Sequence, residues 1–170
     1  MTGTPLDREP DDLALAVRVH EALLSRHQTV ATAESLTGGL LGGLLTATSG
    51  SSETYRGGVV SYATDVKQSL LGVSEEVVAT YGVVSAECAA QMAAGVRRLL
   101  GADWALSTTG VAGPTLQEGK PPGTVHVALA GPAGVRSDAL ELAGDRAAVR
   151  EGTCRRVLGL LLEELTGART

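Results

Sequence analysis

Short β-branched stretches alternate with helix-patterned ones along nearly the whole chain, and this limits the fold more than any other feature. Thr29-Val30-Ala31-Thr32-Ala33, Gly58 to Tyr62 and Ala102 to Thr108 read as strands. Leu13, Leu15, Ala16, Val19, Leu23 and Leu24 recur at helical spacing, capped by Asp11 or Asp12 and running to about residue 26. Further helices are expected from Leu40 to about Thr46, Asp65 to Leu71, Ser74 to near Gly82, and Ser85 to about Leu100, where Gly101 closes the last of these. Thr124 to Ala130 and Val135 to Leu142 form a hairpin across Gly131-Pro132-Ala133-Gly134, and Asp145 caps a final helix to about Leu165. Strands joined through helices run parallel, whereas a tight hairpin adds an antiparallel strand. The expected fold is therefore α/β: a single three-layer α/β/α domain with a mixed, mostly parallel sheet and a late β-hairpin. It spans 11–167, with the proline-bearing residues 1–10 as a flexible tail.

Composition removes several functions. The 170 residues include no Phe, one Trp and three Tyr against 22 Gly, so the core must be built from Leu, Val and Ala with close backbone approaches. A stacking platform for single-stranded nucleic acid needs several aromatics on one face, and this chain cannot supply them. The net charge of −5, without a basic stripe, argues against duplex binding. No apolar run reaches the ~18 residues of a membrane span, and the acidic start of the sequence does not read as a basic leader. Cys88 and Cys154 match no metal or redox spacing and are expected as reduced thiols in a cytoplasm. His20, His27 and His126 form no acidic-histidine cluster, so no metal and no cofactor is expected. The apolar faces Leu40, Leu41, Leu44, Leu45 and Ala89, Ala90, Ala93, Ala94 would suit a homodimer or equally a core.

Open α/β sheets bind ligands at the carboxyl ends of their strands, which singles out three polar, glycine-marked exits. Glu34-Ser35-Leu36-Thr37-Gly38-Gly39 offers two hydroxyls and a glycine-lined helix start, suited either to capping or to an activated serine. It is not a Gly-x-Ser-x-Gly elbow, and no Walker lysine follows. The second exit carries Tyr62 and Lys67, and a lysine serves as general base only if burial or a nearby cation lowers its pKa. The third, Thr109-Gly110-Val111-Ala112-Gly113-Pro114, is either a plain loop or a backbone cradle for a small ligand. With no histidine near a candidate hydroxyl, a serine activated by lysine is the hydrolytic arrangement these residues favour.

Taken in order, these segments resemble the CinA C-terminal domain family, whose stand-alone members include nicotinamide mononucleotide amidohydrolases. The resemblance is carried by Ala33 to Gly39, Gly50-Ser51-Ser52, Gly58 to Tyr62 with Lys67, Gly72-Val73, Gly82 to Ser85, Gly110 to Pro114, Lys120 to Val125 and Gly144-Asp145-Arg146. It implies hydrolysis of the carboxamide of nicotinamide mononucleotide to nicotinate mononucleotide and ammonia, in pyridine nucleotide salvage. On that footing Ser35 is the nucleophile, Lys67 its base, and Tyr62 a group that orients the lysine or relays a proton. Substrate would be held by Glu34, Thr37, Gly38, Gly39, Thr109, Gly110 and Gly113, with Arg146 on the phosphate and amides near Gly38-Gly39 or Gly110 on the oxyanion. The chain departs from the family at Leu36, often Cys, and at Ala63-Thr64, often Ser-Asn. Two other readings stand beside this one: a non-catalytic nucleotide-pocket module acting through protein partners in competence or DNA-damage response, and a hydrolase of another small amide.

Overall fold

Five strands, β1 (Val30–Glu34), β2 (Tyr55–Val60), β3 (Trp104–Gly110), β4 (Thr124–Gly131) and β5 (Gly134–Glu141), hydrogen-bond in the order β2-β1-β3-β4-β5. They belong to a computed structural model that describes residues 10–168. β1 pairs in parallel with β2 and β3, and β4 is antiparallel to both β3 and β5. Four strands therefore share one direction and β4 alone opposes them, as expected for a mixed, mostly parallel sheet. Helices α1 (Pro10–Ser25), α2 (Leu40–Thr46) and α6 (Arg146–Thr166) cover one face. The other carries α3 (Thr64–Leu71), α4 (Glu75–Tyr81) and α5 (Ala86–Leu100).

The two faces differ in side-chain size, and this is how a chain without Phe fills its core. Val30, Leu106, Val125, Val127 and Leu129 point toward α1, α2 and α6. Strand alternation sends Ala31, Ala33, Ala105, Ala128 and Ala130 to the opposite face. Alanines there let α5 settle close to the sheet, where the Ser107 hydroxyl donates directly to the Ala89 carbonyl at 2.6 Å. Gly95 takes the same economy further: a Cβ built on it would lie 1.8 Å from the Leu71 carbonyl oxygen. Gly95→Ala should push α5 off the end of α3 and destabilise the protein by about 2–3 kcal/mol, measured by urea unfolding against wild type. An unchanged midpoint would show that the two helices have room to spare.

Several boundaries differ from the sequence reading. The tail falls mostly on residues 1–9, which lie outside the described residues, while Pro10 already begins α1. Asp12 lies within that helix, and its carboxylate pairs with Arg155 of α6 at 2.6 Å. α1 ends at Ser25, and His27 beyond it has φ +55°. β2 starts at Tyr55 and stops at Val60, so Ser61 and Tyr62 emerge from the sheet. Within it Gly58 has no room for a side chain, since a Cβ would sit 2.2 Å from the Thr32 hydroxyl. β3 continues to Gly110 because its pairing with β4 outlasts its pairing with β1. Of the helix faces that would suit a dimer or a core, Leu41, Leu44, Leu45, Ala89 and Ala93 are buried, while Leu40, Ala90 and Ala94 are half-buried. No described helix is long and apolar enough to cross a membrane.

Candidate active site

The strand order explains why three distant segments meet. From β1 the chain crosses to β2 on one side and then returns past β1 to β3 on the other, which opens a crevice at the carboxyl ends of β1 and β3. Main-chain bonds continue the ladder just past the strands: Ser61 N–H donates to Glu34 C=O at 2.8 Å and Ser35 N–H to Thr108 C=O at 3.0 Å. Ser35, Ser61-Tyr62 and the Thr109–Gly113 exit therefore share one level of the sheet edge.

Lys67, one turn into α3, is the largest charged group buried there. It is 1% exposed, and its Nζ lies 3.0 Å from Ser35 Oγ, 2.7 Å from the Ser61 carbonyl and 3.3 Å from the Tyr62 carbonyl. Carbonyls only accept, so a neutral amine spends both N–H groups on them and leaves its lone pair facing the serine hydroxyl. Burial pushes the Lys67 ammonium below its ordinary 10.5, with Cys88 and Glu118 opposing that shift only in part. Among the described residues no carboxylate forms an ion pair with it. Cys88 is no rival nucleophile, because it is fully buried and burial pushes its thiol up to about 11.

A cavity of about 250 Å³ opens over Ser35, walled by Tyr62, Gly110 to Gly113, Thr115 to Gln117 and Arg146. Arg146 crosses its mouth, donating to the Tyr62 phenol oxygen at 2.9 Å and to the Gly113 carbonyl at 2.7 Å. Tyr62 thus meets Lys67 through its carbonyl, while its phenol, on a 60% exposed side chain, belongs to the rim. Gly110 is obligatory in this wall, since a Cβ would lie 2.6 Å from the Thr124 carbonyl. A second hollow, about 490 Å³ beside Arg97, Arg98 and the β4–β5 turn, contains no nucleophile and base together.

The other residues singled out in the sequence stand behind this wall. The Glu34 carboxylate accepts from the amides of Gly39, Leu41 and Gly42 at the start of α2. Thr37 and Thr108 share a buried hydroxyl contact of 2.8 Å, and the Thr109 hydroxyl donates to Val83 C=O at 2.6 Å. Gly38 N–H donates to Ser35 C=O at 3.0 Å and Gly39 N–H to Glu34, so neither amide is available to an oxyanion. The amides of Leu36 and Thr37 are the ones without an acceptor among the described residues.

Sequence reasoning missed the Ser61 carbonyl, Thr108 and the anchors of the loop after β3. That loop is fixed by the Glu118 carboxylate, which accepts from Val83 N–H at 2.9 Å and Val84 N–H at 3.1 Å, and by Lys120, which donates to Val84 C=O. Main-chain acceptors carry no sequence signature. Glu118 and Lys120, two apart in a glycine- and proline-rich loop, were a signal that could have been read.

Residues 12–165 match the CinA C-terminal domain. A CinA-like protein of Frankia casuarinae is 52% identical over 145 residues, which is 85% of this chain and 34% of that protein. A putative competence-damage inducible protein of Bacillus subtilis is 40% identical over 155 residues, 91% of this chain and 37% of that protein. The chain thus spans about a third of the length of these relatives. Among solved structures, a CinA superfamily protein from Klebsiella pneumoniae aligns with TM-score 0.89 at 34% identity, covering 92% of this chain and 99% of that one. The competence/damage inducible protein of Agrobacterium tumefaciens aligns with TM-score 0.88 at 36% identity, over 98% and 99%.

Proposed function

The chain belongs to the CinA C-terminal domain family, and on that premise we propose that it hydrolyses the carboxamide of nicotinamide mononucleotide to nicotinate mononucleotide and ammonia. One observation carries the reading: a lysine 1% exposed, without an ion-pair partner among the described residues, 3.0 Å from the hydroxyl at the mouth of β1. Ser35 Oγ attacks the carboxamide carbon as Lys67 Nζ takes its proton. The carboxamide oxygen becomes an oxyanion, for which the Leu36 and Thr37 amides are the candidate donors. Lys67 then passes its proton to the amide nitrogen, which leaves as ammonia. Water, deprotonated by the same lysine, cleaves the ester on Ser35 and restores both groups.

The cavity suits this substrate class in charge and size. Its wall carries one cation, Arg146, and no carboxylate. At about 250 Å³ it lies just below the usual range of ligand pockets, which suits a small ligand and excludes a dinucleotide. Arg146, already holding one phenol and one carbonyl oxygen, is the group to take the phosphate. Cys88 and Cys154 form no disulfide and are buried in cores on opposite faces of the sheet, as suits a reducing cytoplasm.

The test is ammonia release from nicotinamide mononucleotide with chelator present, beside nicotinamide riboside, which lacks the phosphate. Release from the nucleotide and weak release from the riboside is the expected pattern. Arg146→Ala should raise KM for the nucleotide by about tenfold or more with kcat nearly kept, the scale of one hydrogen bond to a charged group. No release from wild type would favour the non-catalytic module acting through protein partners. Release from other small amides alone would keep the chemistry and change the substrate.

A further inference from the structure

Residues 35–39 lie in neither helix nor strand, yet they carry the serine to which the reaction is assigned. Two side chains of opposite charge grip this turn from its two kinds of backbone group. Glu34, 2% exposed, takes N–H groups: Gly39 at 3.2 Å, Leu41 at 2.9 Å and Gly42 at 3.0 Å. Arg150, in the second turn of α6, takes carbonyls: its Nε donates to Leu36 C=O at 3.1 Å and its Nη2 to Thr37 C=O at 2.9 Å. Arg150 does not line the cavity, and it makes no ion pair among the described residues.

The consequence follows from peptide geometry. In a trans peptide unit the carbonyl and the following N–H point in opposite directions. Holding the Leu36 carbonyl toward α6 therefore turns the Thr37 N–H away from α6, and that amide has no acceptor among the described residues. Thr37 is 0% exposed, so its amide is a buried donor of the kind native structures rarely leave unpaired. A guanidinium on the carbonyl also polarises the same peptide and strengthens its N–H as a donor. The planar fork matters, because its Nε and Nη2 meet the two carbonyls from nitrogens held in fixed relation, which the single, freely rotating ammonium of a lysine does not reproduce.

We propose that Arg150 is a positioning residue for the hydrolysis, setting the Ser35–Gly38 turn so that Ser35 Oγ and the amides after it address one carboxamide. This rests on the assignment of Ser35 as nucleophile. Arg150 touches neither the substrate cavity nor Lys67, so its removal should act on kcat and leave both KM and the acid limb of the pH profile in place.

Arg150→Ala and Arg150→Lys, in the full chain, are compared with wild type for turnover of nicotinamide mononucleotide and for labelling of Ser35 by a fluorophosphonate, followed by mass. Arg150→Ala is expected to lose about 100-fold in kcat, the scale of a misplaced reacting group, with KM and the acid limb unchanged. Added guanidinium chloride at sub-denaturing concentration should restore part of the turnover to Arg150→Ala and none to wild type. Arg150→Lys keeps the stem and its packing, so it carries the comparison if the alanine variant melts early; it too should label and turn over slowly. A loss confined to KM, a moved acid limb, wild-type kcat in either variant, or a folded alanine variant that guanidinium does not rescue would overturn the inference. Fluorophosphonate labelling separates it from the choice of substrate. If wild type is inert toward the nucleotide yet labels at Ser35, with the rate falling in both variants, the substrate is wrong and the positioning role stands. No labelling of wild type at Ser35 would overturn both.

Discussion

Ser35→Ala should release ammonia from nicotinamide mononucleotide at least about 10⁴-fold more slowly than wild type, the scale on which serine hydrolases lose kcat when the nucleophile is removed. Nothing nearby can replace it. Cys88 is sealed in the core with its thiol pushed up to about 11, and the Thr37 and Thr108 hydroxyls are buried against each other at 2.8 Å. The fold should not suffer, because the one side-chain bond given up among the described residues is that between Ser35 Oγ and Lys67 Nζ. Hydroxylamine gives the reaction a second signature. If an ester forms on Ser35, hydroxylamine competes with water for it, and wild type should produce the hydroxamate alongside the acid. Residual turnover in Ser35→Ala near the wild-type rate would assign attack to water and remove the serine from the mechanism. A folded alanine variant without turnover, together with hydroxamate from wild type, would place the covalent bond at Ser35.

The strands and helices were legible because their spacing is strong, and the sheet followed because parallel strands force crossovers. What stayed illegible was the direction in which polar side chains turn at the strand exits. Glu34, Thr37 and Thr109 sit inside the glycine-marked segments, and the family resemblance made them ligand contacts. In the structure Glu34 caps α2 and the two threonines tie strand exits to their neighbours. Alternation fixes which face of the sheet a strand residue takes; it does not say which distant donor or acceptor the polar side chains at a strand's end will meet. Those acceptors belong to residues far away in sequence, such as Val83 for Thr109 and Leu36 for Arg150. Lys67 is the opposite case. Its candidacy as a base required burial, which no spacing could reveal, and α3 supplies it by starting directly behind the Ser61-Tyr62 turn. Tyr62 was found for the wrong atom: its carbonyl meets the lysine, and its phenol meets Arg146.

Lys67→Met should reduce turnover by at least about 10³-fold, since a positioned base contributes about 10²–10⁴-fold and the serine hydroxyl also loses its only side-chain partner among the described residues. The more discriminating result concerns stability. The unfolded chain holds Lys67 at its ordinary 10.5, whereas burial lowers the folded value. Between those two pH values the unfolded chain binds a proton that the folded chain does not, so the wild-type protein gains stability as pH rises through that window. Below the folded value both states are protonated and the penalty for burying the ammonium is constant; above 10.5 both are neutral and it vanishes. Methionine has no such proton and nearly the same reach, so all other titrations cancel when the two proteins are compared. The melting temperature of wild type relative to Lys67→Met should therefore climb as pH rises through that window toward 10.5, by about 2–4 °C for each kcal/mol of penalty removed. The acid limb of wild-type kcat/KM reports the folded value and must fall at the foot of that climb. A flat difference in melting temperature across the window would mean that Lys67 stays charged in the folded protein, and an ammonium cannot take a proton from Ser35. The base would then have to be sought elsewhere, even if Ser35 had already been shown to carry the acyl group.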